Sequence, residues 1–147
     1  MTTQSMKKSV FARILALSLL FVMLFLAVSC GLERTGAWEN AIYNKDKTLG
    51  KGEKTITVSV TAEEKTVVFT LHTDAEFLEE ALVENDLVEG EESAYGLYIK
   101  YVNGIRADYT LDGGYYWSLT VNGEYADYGV GSAAVTDGAV FGLVRRK

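Results

Sequence analysis

Residues 54–72 read KTITVSVTAEEKTVVFTLH and carry the clearest structural signal in the chain. Ile56, Val58 and Val60 alternate with threonine and serine, which is the period-two pattern of a strand with one buried face. After a turn at 62–64, the run 65–72 is again rich in the β-branched residues that favour strands. The two runs together predict a β-hairpin.

A helix is expected directly after this hairpin. Thr73 and Glu76 have the spacing of a capping box, in which the hydroxyl and the carboxylate satisfy backbone donors of the first turn. The predicted helix covers residues 74–84. It places glutamates on one face and apolar residues on the other, namely Phe77, Leu78, Ala81 and Leu82.

The remaining sequence predicts more strands separated by tight turns. An acidic loop at 89–92 precedes a strand at 95–102, and further strands are expected at 115–121 and 139–144. Asn103-Gly104 and Asn122-Gly123 are both the favoured dipeptide of a two-residue hairpin turn. The order of elements indicates an α+β fold, a β-grasp-like mixed sheet with one crossing helix.

Residues 30–53 lack a sustained period and mix charges with glycine and asparagine. They are expected to form a tether, flexible at Gly50 and Gly52, in front of a folded domain at 54–147. Trp38 and Tyr43 are exceptions within the tether. They either pack on the domain or lie near a lipid surface.

The N-terminal segment has the parts of a secretory signal, with three basic residues before a long apolar run. The run ends at Cys30, the one cysteine of the chain. Residues 24–30, LFLAVSC, resemble the lipobox of bacterial lipoproteins, although Ala27 stands where leucine is usual. The resemblance implies a signal peptide at 1–29, a lipidated Cys30 and an extracytoplasmic domain anchored to the cell membrane. The alternative is a permanent transmembrane helix over residues 10–28, which also places the domain outside the cytoplasm.

Removal of the leader changes the net charge from −6 to −9, because residues 1–29 hold three basic residues and no acid. An acidic domain of this kind is not expected to bind nucleic acid or to be attracted as a whole to anionic lipid. No nucleophile with a matching base is evident, so an enzyme is not expected. A lone His72 makes no transition-metal site. The acidic residues have no calcium-loop spacing, whether taken as Glu89, Glu91 and Glu92 or as Asp108, Asp112 and Asp127.

A family resemblance emerges from the C-terminal half. Residues 115–126, YYWSLTVNGEYA, followed by Gly129-Val130 and by 135–138, VTDG, resemble a transcobalamin C-terminal-like domain of the DUF4430 type. The upstream strand and turn at 96–105 fit the same pattern, and the resemblance covers roughly residues 54–145. This module is similar to the β-rich domain of transcobalamin and intrinsic factor that closes over cobalamin. The resemblance does not include the helical-barrel domain that supplies the other half of that site.

An aromatic cluster beside a glycine-rich loop is the candidate ligand site. Tyrosine and tryptophan suit a flat and partly polar ligand, and a cobalamin or another corrinoid is the one that the resemblance implies. The alternative is that these aromatics are ordinary core and surface residues of strands. The expected ligand-binding residues are Tyr116, Trp117, Tyr125, Tyr128, Gly129 and Val130.

Two functions follow from these observations. The first is a lipid-anchored extracytoplasmic binding module that captures a small ligand and passes it to a transporter or partner protein. The second is a cell-surface protein–protein interaction or adhesion domain without a small-molecule ligand, which would use exposed strand edges.

Overall fold

The computed structural model describes residues 36–147 and, upstream of them, only Arg13. The expected signal peptide, the lipidation site Cys30 and the first residues of the tether lie outside the described residues. Met1–Glu33 and Arg34–Lys147 form separate units, and the second unit is the folded domain. Within the described residues, no helix has the length and apolar character needed to cross a bilayer.

The domain contains nine strands, one α-helix (α1, Leu78–Glu84) and two short 3₁₀ helices, Gly36–Trp38 and Val130–Ser132. The strands are β1 Lys47–Gly50, β2 Lys54–Ala62, β3 Lys65–Thr73, β4 Val88–Ser93, β5 Gly96–Val102, β6 Ile105–Arg106, β7 Tyr116–Val121, β8 Glu124–Tyr125 and β9 Val140–Arg146.

Six strands form the main sheet in the order β1-β3-β2-β9-β7-β8, and β4, β5 and β6 form a second, small antiparallel sheet. The main sheet is mixed, because β2 pairs in parallel with the last strand β9 and β1 pairs in parallel with β3. A first hairpin strand lying parallel to the last strand at the centre of the sheet is the β-grasp arrangement. The predicted α+β, β-grasp-like fold is therefore confirmed.

The core lies between one face of the main sheet and α1. Ile56, Val58 and Val60 of β2 are buried, and the register pairs them with Leu71, Phe69 and Val67 of β3. The helix adds three fully buried side chains, Leu78, Ala81 and Leu82. The alternation predicted from residues 54–72 is the alternation observed, since a strand with one buried face presents every second side chain to the core.

The capping box predicted at the start of the helix is wrong. Thr73 is the last residue of β3, and its Oγ1 accepts a hydrogen bond from the Ala75 backbone N–H at 3.0 Å. The helix begins later, at Leu78, whose N–H donates to the carbonyl of Ala133 instead of to a capping side chain. Phe77 precedes the helix and forms a backbone bridge with Ala134, so its ring is partly exposed and does not join the buried face.

The tether prediction is wrong for residues 36–53, because the chain there is built into the domain. Trp38 is 4% exposed, and its indole N–H donates to the carbonyl of Ala62 at 2.9 Å. Tyr43 packs edge-on against Phe69, and residues 47–50 form the edge strand β1. A four-residue strand is too short for the period-two pattern to be visible in the sequence.

The acidic segment at 89–92 is also not a loop. It belongs to β4, which pairs with β5 along an irregular ladder with a register shift between Glu89 and Gly90. All residues of β4 after Val88 are exposed, so a strand at the edge of the small sheet can consist of charged residues.

Both Asn-Gly turns form as predicted. Asn103 and Gly104 have φ values of 51° and 76°, and Asn122 and Gly123 have 49° and 87°. Positive φ at both central residues is the signature of a type I′ hairpin turn. The first turn joins β5 to β6 and the second joins β7 to β8.

A candidate aromatic groove

A groove of about 740 Å³ lies at the end of the main sheet, where β7 is no longer covered by β8. Its walls are the exposed edge of β7, the segment that runs from β8 into the second 3₁₀ helix, the turn between β4 and β5, and one residue of α1. The lining residues are Glu79, Ala94, Tyr95, Gly96, Tyr116, Trp117, Ser118, Leu119, Tyr125, Ala126, Asp127, Tyr128, Gly129, Gly131 and Ser132. We call this site the aromatic groove.

Five of the six residues predicted to bind ligand line the aromatic groove together: Tyr116, Trp117, Tyr125, Tyr128 and Gly129. Val130 does not. Its side chain is buried in the hydrophobic core, because it is the first residue of the 3₁₀ helix that packs against α1. The placement of Val130 in a ligand site is therefore wrong.

The sequence left open whether Trp117 is a core residue or a residue of the ligand site, and its position has features of both. Its ring packs against the core, while the residue also lines the aromatic groove. The indole N–H is shielded from solvent and has no hydrogen-bond partner among the described residues. A shielded donor without a partner costs about 1–3 kcal/mol, and this cost is part of the way Trp117 is packed.

Glu79 supplies a carboxylate at the wall of the groove. Its Oε2 accepts a hydrogen bond from the Leu97 N–H at 3.1 Å. A Cβ placed at Gly131 would lie only 2.5 Å from this oxygen, and one at Gly96 would lie 3.0 Å from it. The two glycines thus allow the carboxylate to sit between the 3₁₀ helix and the β4–β5 turn.

The charged residues that line the aromatic groove are all acidic. Glu79 and Asp127 are present, and lysine, arginine and histidine are absent from its lining. Aromatic faces attract cations through their negative π-surfaces, and carboxylates add to that attraction. The groove is therefore suited to a neutral or positively charged ligand with an aromatic or apolar body.

The backbone of β7 also presents unused groups to the groove. The Ala126 N–H donates to the Leu119 carbonyl on the β8 side, whereas the Asn122 N–H donates to Val140 on the β9 side. Because antiparallel strands bond through alternate residues, the N–H and C=O of Trp117 point to the same side as those of Leu119. The strand β8 covers only Thr120 and Val121, so within residues 36–147 the backbone of Trp117 has no strand partner on that side.

The acidic residues that were considered as calcium ligands do not form a calcium site. Several of them are paired with cationic side chains instead. Lys100 Nζ lies 2.6 Å from Glu91 Oε1 and 3.1 Å from Asp108 Oδ2, and these contacts raise the pKa of Lys100 and lower the pKa of Asp108. The Arg106 guanidinium holds the pKa of Asp112 below its usual range. Among the described residues, no three histidine, cysteine, aspartate or glutamate side chains converge in a geometry that could hold a metal ion.

His72 does not line the aromatic groove. It lies on the face of β3 that is opposite to the buried core residues of that strand. Its Nδ1 is 3.1 Å from the Thr55 hydroxyl of the neighbouring strand. This contact occupies the nitrogen in the sheet and gives His72 a structural role.

Tyr95 and Glu79 are among the ten groove residues that were not foreseen. Tyr95 is 89% exposed at its mouth, and Glu79 was placed on the solvent face of the helix. Neither could be recognised locally, because both reach the groove through the contact between the two sheets and α1. In the sequence, this contact is reflected in the glycines at 96 and 131, which leave room for the Glu79 carboxylate. A glycine alone does not identify the side chain that packs against it.

Comparison with known proteins agrees with this architecture. Residues 75–140 match the model of a domain of unknown function, DUF4430. A candidate metal-binding protein from Ruminococcus gnavus ATCC 29149 has a crystal structure with a TM-score of 0.59 and 35% sequence identity, and the match covers 65% of this chain and 98% of that one. This chain, an α+β protein with a β-grasp-like domain, belongs to the DUF4430 family.

A second solved structure with similarity is haptocorrin in complex with Cbi. It has a TM-score of 0.47 and 27% identity, and the match covers 64% of this chain and 25% of that one. The chain thus spans about a quarter of the length of haptocorrin. No curated protein matches the sequence.

Proposed function

We propose that this protein is a lipid-anchored extracytoplasmic binding module, without catalytic activity, that holds a small ligand in the aromatic groove. The observation that carries the proposal is the convergence of five aromatic residues and two carboxylates in one groove. A volume of about 740 Å³ lies within the usual range for small-molecule sites.

The chemistry of the groove narrows the class of ligand. Four tyrosines and one tryptophan line it, so a ligand with flat apolar surface would bury area against their rings. The two carboxylates of the lining, Glu79 and Asp127, favour amide N–H groups or a positive charge. A corrinoid has this combination, and the sequence resemblance to a domain that closes over cobalamin makes it the first ligand to test.

Isothermal titration of residues 31–147 with cobinamide and cobalamin tests this proposal. We expect saturable binding in the micromolar range. Tyr125→Ala removes an exposed ring that lines the groove, so it should weaken binding about tenfold, which corresponds to about 1.4 kcal/mol of lost contact with the ligand. The matched control is Tyr98→Ala, which removes an exposed aromatic residue outside the groove. Absence of binding at millimolar ligand would exclude corrinoid capture by this domain.

A second candidate function is recognition of a protein partner through strand addition. The unpaired N–H and C=O of Trp117 at the edge of β7 favour it, because an extended peptide can continue a sheet by bonding to such an edge. Hydrogen exchange distinguishes the two functions. The Trp117 amide should exchange quickly in the free protein, while the Ser118 amide, which faces β9, should be protected. A peptide partner would slow exchange at Trp117, whereas a ligand held only by side chains would not.

A further inference from the structure

The loop between β6 and β7 exposes two large apolar side chains, Tyr109 and Leu111, which are 61% and 70% exposed. The loop itself is held in place. Asp108 Oδ1 accepts hydrogen bonds from the N–H groups of Thr110 and Leu111, at 3.0 and 3.2 Å, and Asp112 is paired with Arg106. These side chains are therefore presented outward by an ordered loop.

Cations lie beside this loop. Arg145 Nε donates to the carbonyl of Arg106 at 2.9 Å, and its guanidinium lies 3.8 Å from the centre of the Tyr115 ring. Lys147 Nζ lies 5.4 Å from the same ring. Neither Arg145 nor Lys147 forms a salt bridge with a side-chain carboxylate of residues 36–147.

Two acids at this end of the domain, Asp112 and Glu63, are engaged, whereas Glu39 is exposed and forms no salt bridge within residues 36–147. Asp112 is paired with Arg106, and Glu63 Oε1 accepts a hydrogen bond from the Ala37 N–H. Six of the other acids belong to α1 and β4, and Glu91 of β4 shares Lys100 with Asp108 at the start of the loop. The domain is thus acidic overall and carries a local basic and apolar surface.

The same surface adjoins the point where the described chain begins. Ala37 and Asn40 line one cleft together with Arg106, Asp112 and Arg145. Only five residues lie between Cys30 and Gly36. An extended chain spans at most about 3.6 Å per residue, so a lipid on Cys30 would keep Gly36 within roughly 20 Å of the bilayer.

We propose that Tyr109 and Leu111, with Arg145 and Lys147, form a membrane-docking surface that sets the orientation of the domain on an anionic bilayer. The proposal rests on the lipid anchor of the proposed function. Leucine and tyrosine enter the interfacial region, and the two cations meet lipid phosphates. The anchor supplies the affinity, so the net negative charge of the domain does not prevent this contact.

Fluorescence of the full-length lipidated protein in nanodiscs tests the proposal. A thiol-reactive NBD label is attached to Leu111→Cys and, as the matched control, to Val83→Cys, an exposed apolar position on α1. An acylated Cys30 leaves the introduced thiol as the labelling site. We expect a blue-shifted emission at position 111 and aqueous emission at position 83. The shift at 111 should be larger with phosphatidylglycerol in the bilayer than with phosphatidylcholine alone, and Arg145→Gln with Lys147→Gln should abolish that difference.

Mass spectrometry of the same sample separates the two proposals. If Cys30 is acylated and both labels report water in both bilayers, the docking surface is refuted while the anchored binding module stands. If Cys30 is not acylated, the docking proposal falls together with the anchor. A shift at 111 that does not depend on phosphatidylglycerol would refute the role of the two cations.

Discussion

Trp38 shows how much a single residue outside the sequence-predicted domain contributes to the fold. Its ring is buried against the core, its N–H bonds to the Ala62 carbonyl, and Lys65 Nζ lies 4.5 Å from the ring centre. We expect Trp38→Ala to lower the free energy of unfolding by about 3–5 kcal/mol, the usual cost of truncating a buried aromatic residue.

Trp38→Phe separates packing from hydrogen bonding at this position. It should cost less, about 1–3 kcal/mol, because most of the apolar contact is kept and only the bond to the carbonyl is lost. Urea unfolding followed by circular dichroism measures both variants, with the surface substitution Val83→Ala as a control that stays within about 0.5 kcal/mol of the parent. A cost for Trp38→Ala no larger than that of Val83→Ala would mean that this segment is not part of the cooperative fold.

The ion pair of Arg106 with Asp112 predicts a pH dependence of stability. Arg106 lowers the pKa of Asp112 in the folded state, so the folded protein binds fewer protons than the unfolded chain near that pKa. The stabilisation is therefore fully present above the unfolded pKa, near 4, and is lost as the pH falls through the folded pKa. Thermal unfolding of the parent and of Asp112→Asn between about pH 5 and pH 2 measures this.

We expect the parent to lose more stability than Asp112→Asn over this range, so that the two curves converge at low pH. The control is Asp127→Asn, which removes an exposed carboxylate that forms no salt bridge within residues 36–147. Parallel curves for the parent and Asp112→Asn would contradict the prediction.

The two Asn-Gly turns allow the cost of the same glycine-to-alanine substitution to be compared in two environments. Gly104 and Gly123 both have positive φ, so alanine at either position is strained by about 1–2 kcal/mol. A Cβ at Gly104 would also lie 2.5 Å from the Asn40 carbonyl oxygen, whereas a Cβ at Gly123 meets nothing within 4 Å. We expect Gly104→Ala to cost at least about 1 kcal/mol more than Gly123→Ala in urea unfolding. Equal costs would show that the segment around Asn40 yields freely.

The start of the helix gives a second test at this scale. Thr73→Val is nearly isosteric, but it leaves the buried Ala75 N–H without its acceptor and should cost about 1–3 kcal/mol. Glu76 is exposed, and Glu76→Ala should stay within about 0.5 kcal/mol of the parent. A capping box would make both substitutions costly. A clear loss of stability in Glu76→Ala would therefore support the capping box and contradict the present assignment of the helix start.

The contrast between these elements explains what the sequence could predict. The hairpin at 54–72 and the Asn-Gly turns depend on local periodicity and on backbone conformation, and both were predicted. The helix start was not, because the Thr-x-x-Glu spacing competes with the continuation of β3, and the N–H of Leu78 finds its acceptor in the distant Ala133. Tertiary contacts of this kind leave no local signal.

One wall of the aromatic groove could be predicted from the sequence, and the other could not. Tyr116, Trp117, Tyr125, Tyr128 and Gly129 are close in sequence because one hairpin carries them, so their clustering could be inferred. The prediction included Val130 because period and composition cannot tell a buried residue of a 3₁₀ helix from an exposed one. The opposite wall, with Glu79 and Tyr95, comes from other elements and required the assembled fold.

At the scale of the whole molecule, the aromatic groove and the proposed docking surface are lined by separate sets of residues. The groove lies where β7 leaves β8, and the basic surface lies where the chain enters and leaves the domain, at residues 37–40 and 145–147. A binding module held at a membrane needs its ligand site free of the lipid surface. Separate linings for the two sites are compatible with that requirement.

The entry of the chain also decides where the domain begins. Asn103 is fully buried, and its side-chain amide accepts from the Tyr43 N–H at 2.9 Å and donates to the Tyr43 carbonyl at 2.8 Å. A fragment of residues 54–147 would lose these partners together with Trp38 and β1, and it would leave a buried amide unsatisfied. We expect residues 36–147 to fold cooperatively and residues 54–147 to lose several kcal/mol, a large share of the stability of an ordinary domain.

Thermal melts and the dispersion of amide signals in NMR spectra compare the two fragments directly. Asn103→Gly within residues 36–147 serves as the matched variant, because it removes the same two hydrogen bonds, tolerates the positive φ of this turn position and leaves Trp38 and β1 in place. It should lie between the two fragments in stability. Removing a buried tryptophan and a sheet strand from a cooperative core cannot leave its stability unchanged. If residues 54–147 melted within a few degrees of residues 36–147, the segment before β2 would therefore be a tether that only rests on the domain.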